Sequence, residues 1–524
     1  MTALVASIAE RDPQRVVAAA LEALERGADA VEVRLDALHA TSESIRGLAD
    51  ALPSGQWIVT CRPVAQGGTS SDTPAQRAAL LAAAGSVSDG IIDFEWDDWQ
   101  RLGGSPFAAG GAAMSSAGRM NASKRESARI LLSHHDWHRR PAELERMVRA
   151  MCAVPEAIAV KVAWPAESIL SNFEAFDIMR ASPKDAVAIC MGEAGLMSRA
   201  LAGKFGAYAT YCAHREGMET APGQVSLEVL RDLYRWDAID ESTAVYGVIG
   251  WPVSHSISPV VMNGMFAAMR FPAVYLPMPV EPSYDAFAAF MDRCLSYPGF
   301  DAGGFSVTAP HKEHALRYLG ERVDPPADVL GAVNTIRIDD GEPWGCNTDC
   351  TAALDTLLER MEREAQGLEG VGVDVLGAGG VARAVVAGLV DCGCRVTVYN
   401  RTAERAAALA DAFGCKPAPW DDRSRGDGQI IVNCTSVGMW PDVESTPMPA
   451  ARLAAGTVVF DTVYRPAETR LLRDAEAAGC RTVDGLTMFA RQAAAQLYYW
   501  TEQLPEMAPL WELATTAVDA DRQP

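Results

Sequence analysis

The sequence predicts an α/β fold in two parts, an eight-stranded parallel barrel followed by a pair of smaller α/β domains. Three observations carry this. Short apolar runs alternate with helical patterns eight times in the first 236 residues. A short acidic stretch, Trp236 to Thr243 (WDAIDEST), then breaks the alternation and reads as a linker. Finally, Val371 to Thr402 reads as strand, glycine turn, helix and strand, the opening of a nucleotide-binding βαβ unit.

The chain has 524 residues and a formal net charge of −22, and 49% of its residues are apolar. That length exceeds a single small core, and the apolar share can fill several. The charge argues against nucleic acid or an anionic membrane as a partner. An anionic small-molecule substrate therefore needs locally clustered arginines and lysines. The 12 cysteines show no paired C-x-x-C spacing, so neither a zinc site nor a secreted disulfide framework is expected. Reduced thiols and a cytoplasmic location follow as expectations. Strand-like sequence begins at Leu4, leaving no room for a signal peptide, and no apolar run reaches membrane-spanning length. Oligomeric state is not legible.

The strand candidates are Ala3–Ile8, Ala30–Leu35, Gln56–Cys61, Gly90–Glu95, Ile130–Ser133, Ala157–Ala163, Ala186–Cys190 and Ala207–Cys212. Between the first two, Pro13 to Arg26 sets Val16, Val17, Ala20, Leu21 and Leu24 on one helical face, and Gly27 ends it. Such alternation suits a (β/α)8 barrel. The fourth unit is the weakest, because Gly103 to Ser123 is rich in Gly, Ala and Ser and reads as a mobile surface insertion.

In a parallel barrel the chemistry sits at the C-terminal ends of the strands. Here those ends carry Glu32, Arg34, Arg62, His135, Lys161 and Arg199, with Thr220 and Gln224 in the loop after the eighth strand. Singly, Glu32 with Arg34 reads as a structural ion pair and Asp136 as a helix cap. A lysine inside the apolar run VKVA is harder to explain structurally. Buried among cationic neighbours, it would have a lowered pKa and supply the free amine that imine formation requires.

EVRLD, the CR after the third strand, SHHDWH, VKVA, GLMSR and APGQ, in that order, resemble type I 3-dehydroquinate dehydratase over about Thr2 to Trp236. The resemblance implies a (β/α)8 (TIM) barrel in which Lys161 forms a Schiff base with the substrate ketone. It implies His135 as the general base and acid. Arg199 and Gln224 would hold a carboxylate, beside Thr220, and Glu32, Arg34 and Arg62 the hydroxyls. Two positions depart from the family. Gln66 stands where a glutamate is thought to orient the catalytic histidine, and Thr220 where serine is common.

After Ala244 the pattern changes. VYGVIGWPVSHSISP runs a strand into a turn bearing Ser256 and Ser258, which line a loop or cap the helix after Pro259. FSVTAPHK places Lys312 in the first turn of a helix, where the helix dipole eases its deprotonation. GAVNT and GCNTDC supply Asn334, Asn347 and Asp349 at further loop ends. A lysine and an aspartate on converging loops form a plausible proton-transfer pair. In the βαβ unit, Gly377, Gly379 and Ala382 occupy the G-x-G-x-x-G/A positions, a fingerprint that is weak alone. Where NAD-binding units carry an acid after the second strand, this chain has Asn400-Arg401-Thr402 and then Arg405, a cationic fork suited to a 2′-phosphate.

SHSISP, SVTAPHK, GAVNT, NTD, GAGGVAR, NRT, NCTSVGM, DTVYRP and DGLTMFARQAA follow the order of the shikimate dehydrogenase family over about Val245 to Gln503, a second resemblance. It implies that Ser256, Ser258, Thr308, Asn334, Asp349, Tyr464 and Gln492 surround 3-dehydroshikimate. Lys312 and Asp349 would be the catalytic pair. NADP(H) would lie on Gly377, Ala378, Gly379, Gly380, Asn400, Arg401, Thr402, Arg405 and Thr435, with the nicotinamide near Met439 and Gly485. Ser306 replaces a usual asparagine, which is expected to weaken the loop leading into the Lys312 helix, and Cys350 replaces a glycine.

The expected organisation is thus a barrel over 1–236, a linker over 237–243, a substrate domain over 244–358 plus 486–524, and a Rossmann-like NADP-binding domain over 359–485. The last helix, about Leu486 to Glu502, should return to the substrate domain. The halves imply consecutive steps of the shikimate pathway, from 3-dehydroquinate to 3-dehydroshikimate to shikimate, in the order of the fused bifunctional enzymes of plants and some bacteria. Two rivals remain. In one, the second half oxidises quinate with NAD, which Arg401 and the Ser256/Ser258 pair oppose. In the other, the chain is an inactive metabolite-binding regulator, which intact Lys161, His135, Lys312 and Asp349 oppose.

Overall fold

The computed structural model describes residues 2–38, 40–87, 89–104, 129–362 and 364–520, which fold as two units, Met1–Thr243 and Ala244–Pro524. Most of the Gly103–Ser123 insertion lies outside the described residues.

The first unit is a parallel barrel of β1 (Ala3–Ile8), β2 (Ala30–Arg34), β3 (Trp57–Thr60), β4 (Ile91–Glu95), β5 (Arg129–His135), β6 (Ala157–Pro165), β7 (Asp185–Met191) and β8 (Ala209–Ala213). Neighbours pair in chain order and β8 returns to β1; between β7 and β8, Tyr208 N donates to Ala186 O. The two-residue period of a strand fixes what faces inward. Val5, Ile58, Ile91, Leu131, Ala159, Val187 and Ala209 form an apolar floor. Two residues further along five of these strands stand Ser7, Thr60, Asp93, Ser133 and Lys161, and Glu32 stands beside Ser7 in register, so the next layer is polar and buried. That layer is the base of the site.

The helix Pro13–Glu25 is capped by Asp12, whose carboxylate accepts from Gln14 N and Arg15 N. It buries Val16, Ala20 and Ala23, the i, i+4, i+7 stripe, and leaves Leu21 exposed. Of the expected five-residue face, Val16 and Ala20 are buried, Val17 and Leu24 half-buried and Leu21 exposed, and Ala23 joins it unforeseen. After β4 a helix does form, over Trp96–Leu102, and stops at Gly103 in the left-handed region. The polar stretch Trp236–Thr243 is tied down: Trp236 is buried, and Lys204 Nζ donates to Glu241 O at 2.9 Å and Thr243 O at 2.8 Å.

The second unit has two sheets. β9 (Ala244–Gly250), β10 (Ala273–Pro279) and β11 (Ala302–Val307) run parallel, and β12 (Thr335–Asp339) and β13 (Glu342–Cys346) extend them antiparallel, in the order β10-β9-β11-β12-β13. Asp340 and Gly341, both at positive φ, turn the β12–β13 hairpin. β14 (Gly372–Leu376), β15 (Arg395–Asn400), β16 (Lys416–Pro419), β17 (Ile430–Asn433), β18 (Val458–Asp461) and β19 (Arg481–Val483) form a parallel sheet ordered β16-β15-β14-β17-β18-β19, the 3-2-1-4-5-6 order of a Rossmann fold. The helix Gly485–Thr501 returns to the first sheet through Phe489, Ala493, Leu497 and Trp500. It is not the last: Met507–Ala520 follows and buries Leu510, Ala514, Ala517 and Val518 in the same core. Among the described residues, no helix is long and apolar enough to cross a membrane.

Candidate active sites

In the barrel, Lys161 rises from β6 into the polar layer. Its Nζ lies 3.2 Å from Glu32 Oε1, 3.1 Å from Asp93 Oδ2 and 3.6 Å above the centre of the Tyr211 ring. The expectation of a cationic surrounding is corrected, since the groups in contact are two carboxylates and an aromatic face. Arg62 stands behind them, its Nη2 3.3 Å from Asp93 and 3.6 Å from Glu32, its Nε 3.0 Å from Glu95. Burial alone would raise the Glu32 carboxyl. Lys161, Arg62 and Arg34, with a hydrogen bond from Ser7, outweigh it and hold that carboxyl well below the usual range.

His135 closes β5, buried. Burial first, then the charges of Arg62 and Lys161, hold the imidazole well below its ordinary pKa, so it is neutral. Its Nδ1 lies 3.4 Å from Glu95 Oε2, and its Nε2 has no hydrogen-bond partner among the described residues. Gln66 does not touch the ring: its Oε1 accepts from the His135 backbone N–H at 3.0 Å and its Nε2 donates to Asp97 at 3.2 Å. Asp136 caps the turn that follows, accepting from His138 N and Arg139 N.

Glu32, Arg62, His135, Lys161, Arg199, Thr220 and Gln224 line one cavity together with Ser7, Trp137 and Tyr211. It is narrow, about 30 Å³, room for little more than a water. Arg199 is fully buried, which pulls its guanidinium down to about 10, and its Nε has no partner among the described residues. Gln224 Oε1 accepts from Thr220 N at 2.7 Å and Oγ1 at 3.1 Å. Arg34 is the exception. It pairs bidentately with Asp36, at 2.9 and 2.7 Å, and does not line the cavity; nor does it pair with Glu32 as the structural alternative had it. Asp36 in turn accepts from Arg62 N and Thr69 N, so Arg34 braces the loop after β3.

In the second unit, a cavity of about 470 Å³ is lined by Ser256, Ser258, Thr308, Lys312, Asn334, Asp349, Met439, Tyr464, Gly485 and Gln492. Lys312 opens its helix, Lys312–Leu319, and Nζ lies 2.5 Å from Asp349 Oδ2. Asn347 fixes Asp349 by accepting its N–H at 3.0 Å. Asn334 is held by Thr348, whose N–H donates to its Oδ1 at 2.9 Å. Ser256 Oγ accepts from Ser258 N at 3.2 Å, but the N-cap of the helix Ser258–Ala268 is Ile257, with no side-chain cap bond, so the two serines stand as cavity lining. Ser306 and Gln496 complete the wall. Ser306 does not loosen it: its Oγ accepts from Tyr275 at 2.6 Å and donates to Gln496 Oε1 at 2.8 Å.

Gly377, Ala378, Gly379, Gly380, Asn400, Arg401, Thr402, Arg405 and Thr435 do not line that cavity but follow the C-terminal ends of β14, β15 and β17. Gly377 takes φ +109°, and a β-carbon there would meet Cys434 O at 2.9 Å. The residues fit a dinucleotide phosphate. A β-carbon on Gly379 would meet nothing within 4 Å, and no side chain caps the first amides of the helix Gly380–Asp391. Arg401 and Arg405 are exposed beside it. Among the described residues no group of three or more His, Cys, Asp or Glu could hold a metal.

Sequence reasoning missed Ser7, Asp93, Glu95, Trp137 and Tyr211, all at the barrel site. The signal for two of them was present: in IIDFE the acids alternate with apolar residues inside a buried strand.

Fold and sites define two enzyme classes on one chain, a lysine-centred (β/α)8 barrel and a two-lobed nucleotide-dependent oxidoreductase. Family models match in three segments: type I 3-dehydroquinase over 4–241, shikimate dehydrogenase substrate binding domain over 248–336, and shikimate/quinate 5-dehydrogenase over 359–423. The chain is 35% identical over 498 residues to a bifunctional 3-dehydroquinate dehydratase/shikimate dehydrogenase, chloroplastic, of Arabidopsis thaliana, covering 92% of this chain and 79% of that one. It is 41% identical over 270 residues to a shikimate dehydrogenase (NADP(+)) of Syntrophobacter fumaroxidans, covering 50% of this chain and 90% of the relative. A solved shikimate 5-dehydrogenase from Thermus thermophilus, in complex with NADP(H) and shikimate, is 34% identical with a TM-score of 0.47, covering 52% of this chain and 100% of its own. The chain belongs to the family of bifunctional 3-dehydroquinate dehydratase/shikimate dehydrogenases.

Proposed function

We propose that the barrel dehydrates 3-dehydroquinate to 3-dehydroshikimate through an imine on Lys161, and that the second unit reduces 3-dehydroshikimate to shikimate with NADPH. The carrying observation is that each cavity gathers a complete proton-transfer set: Lys161 with Glu32, Asp93 and the unpartnered Nε2 of His135, and Lys312 with Asp349.

In the first reaction the Lys161 amine attacks the ketone and water leaves, giving the imine. The proton the ammonium sheds passes to water, while Glu32 and Asp93, both in contact, hold Nζ in place. Neutral His135 takes the adjacent C–H proton at Nε2, and the freed electron pair moves towards the imine. The resulting imidazolium then protonates the departing hydroxyl, which leaves as water, and a water hydrolyses the imine, releasing 3-dehydroshikimate and the Lys161 amine. Arg199 and Gln224 hold the substrate carboxylate, Glu32 and Arg62 its hydroxyls. Arg34 acts at one remove, through Asp36.

In the second reaction, bound NADPH supplies hydride to the carbonyl carbon. Lys312 donates the proton the forming alkoxide needs, and Asp349, 2.5 Å away, holds the lysine in place. Ser256, Ser258, Thr308, Asn334, Tyr464 and Gln492 orient the substrate. Arg401, with Asn400, Thr402 and Arg405, selects NADP(H). The substrates are small molecules, and the charge of −22 opposes nucleic acid or anionic lipid as partners. Twelve free cysteines support a reducing, cytoplasmic setting.

One coupled assay tests the whole. Given 3-dehydroquinate and NADPH, the protein should oxidise NADPH, and borohydride should trap an adduct on Lys161. Absence of both the NADPH oxidation and the adduct would defeat the proposal.

A further inference from the structure

We propose that Glu95 is the residue that orients His135 and steadies the imidazolium it becomes, a task Gln66 does not perform. The inference rests on the reading of His135 as the base of the barrel reaction. Gln66 is spent on other groups: its oxygen on the His135 backbone N–H, its amide on Asp97. Among the described residues, the carboxylate oxygen in contact with the ring is Glu95 Oε2, 3.4 Å from Nδ1.

The placement follows from the strand period. Asp93 and Glu95 are two residues apart on β4, so both face the barrel interior. Asp93 meets Lys161, and Glu95, one step nearer the mouth, meets His135 on the neighbouring β5. Both side chains of the second pair are buried, at 5% and 3% exposure. Arg62 Nε holds Glu95 Oε1 at 3.0 Å, which leaves Oε2 turned to the imidazole.

This arrangement fixes the tautomer. Nδ1 carries the hydrogen and faces the carboxylate, so Nε2 keeps its lone pair and points to the cavity. The contact is longer than a fully formed N–H···O bond, and it tightens when the ring gains charge. When Nε2 accepts the substrate proton, positive charge appears beside a carboxylate and is stabilised in a dry site. The other charges facing His135 are Glu32 on β2, Arg62 after β3, Asp93 on β4 and Lys161 on β6. Arg62 and Lys161 oppose the imidazolium, which is why a carboxylate at Nδ1 matters.

The test has two parts. On the unmodified full chain labelled with 15N-histidine, and with His135→Ala for assignment, NMR should report His135 as the Nδ1–H tautomer at neutral pH. The Nε2–H tautomer would overturn the proposal, and this reading needs no folded Glu95 variant. In Glu95→Gln, dehydration kcat should fall roughly 30-fold, and the acid limb of kcat/KM should move down by about half a pH unit, because a carboxylate that favoured the imidazolium is gone. The imine on Lys161 should still be trapped. An unmoved limb would sink the idea, as would a loss confined to KM, or an equal loss in the His135→Ala background, since those belong to Arg62 or to packing. Failure of the underlying reading looks different: His135→Ala would then dehydrate at the parent rate.

Discussion

Gly380 leaves the space into which the Lys312 side chain extends: a β-carbon on Gly380 would lie 3.2 Å from Lys312 Cδ and 4.0 Å from its Nζ. The first residue of the helix proposed to bind the cofactor phosphate and the proposed proton donor thus share one small volume. Nζ is also tied to Asp349 at 2.5 Å, so the lysine has little freedom to retreat. Cofactor seat and acid are positioned against each other.

Gly380→Ala should therefore lower kcat for reduction of 3-dehydroshikimate roughly 10-fold, by displacing Lys312 from Asp349. Dehydration, carried by the barrel, serves as the internal control. NADPH oxidation under saturating substrates measures the first, and absorbance of the enone product the second. An unchanged kcat for reduction would mean the lysine yields without consequence.

Arg401 governs cofactor choice in this reading. It stands exposed just past β15, where a 2′-phosphate needs a cation. Arg401→Ala should raise KM for NADPH roughly 10- to 100-fold and leave KM for NADH within a factor of about two. Equal losses with both cofactors would place Arg401 in structure rather than in selection.

How legible was this site? The two-residue period and the polar strand ends gave the barrel and most of its lining, because strand geometry converts sequence position directly into direction. Contacts between strands were not readable. Lys161 was expected beside cations, yet residues 129 and 68 positions away in sequence supply two carboxylates. Arg34 was drawn to the cavity by its place at a strand end, but Asp36, two residues on, takes its Nε and Nη2. Gln66 was assigned to the imidazole by resemblance, although its oxygen accepts from the His135 backbone N–H and its Nε2 donates to Asp97. The helix Met507–Ala520 was passed over even though Leu510, Ala514, Ala517 and Val518 keep helical spacing.

The pH dependence of dehydration follows from His135. The base must be neutral, so activity is lost when pH falls through its pKa. Burial, Arg62 and Lys161 hold that pKa well below its ordinary value. The acid limb of kcat/KM should accordingly lie below about pH 6.5, the unperturbed value for histidine. A limb at or above that value would mean the free enzyme does not hold His135 in the charge field described here.

Lys161→Ala should abolish both the borohydride adduct and dehydration, by about 10⁴-fold or more, because among the described residues no other amine lines the cavity. NADPH-dependent reduction of added 3-dehydroshikimate should continue at the parent rate. A persisting adduct elsewhere, with activity retained, would move the imine off Lys161.

The last prediction concerns Ser306, buried between the substrate cavity and the core. Its Oγ accepts from Tyr275 and donates to Gln496, whose Nε2 donates to Thr335 Oγ1 at 2.8 Å and Asn334 O at 3.2 Å. One hydroxyl thus links β10, β11, the segment leading into β12 and the helix Gly485–Thr501. Ser306→Ala removes it, strands the buried Gln496 carbonyl and leaves the buried Tyr275 hydroxyl with Ser258 as its partner. Leaving such a carbonyl unsatisfied costs about 1–3 kcal/mol. In a unit of this size that corresponds to a fall in melting temperature of roughly 2–10 °C. The barrel transition, if resolved by calorimetry, should not move. KM for 3-dehydroshikimate should rise as well, because Asn334 loses part of its brace. Ser306→Asn offers an amide able to accept from Tyr275 and donate to Gln496, and it should retain most of the stability. If Ser306→Ala melts with the parent protein, the hydroxyl chain contributes nothing and Ser306 is only filling space.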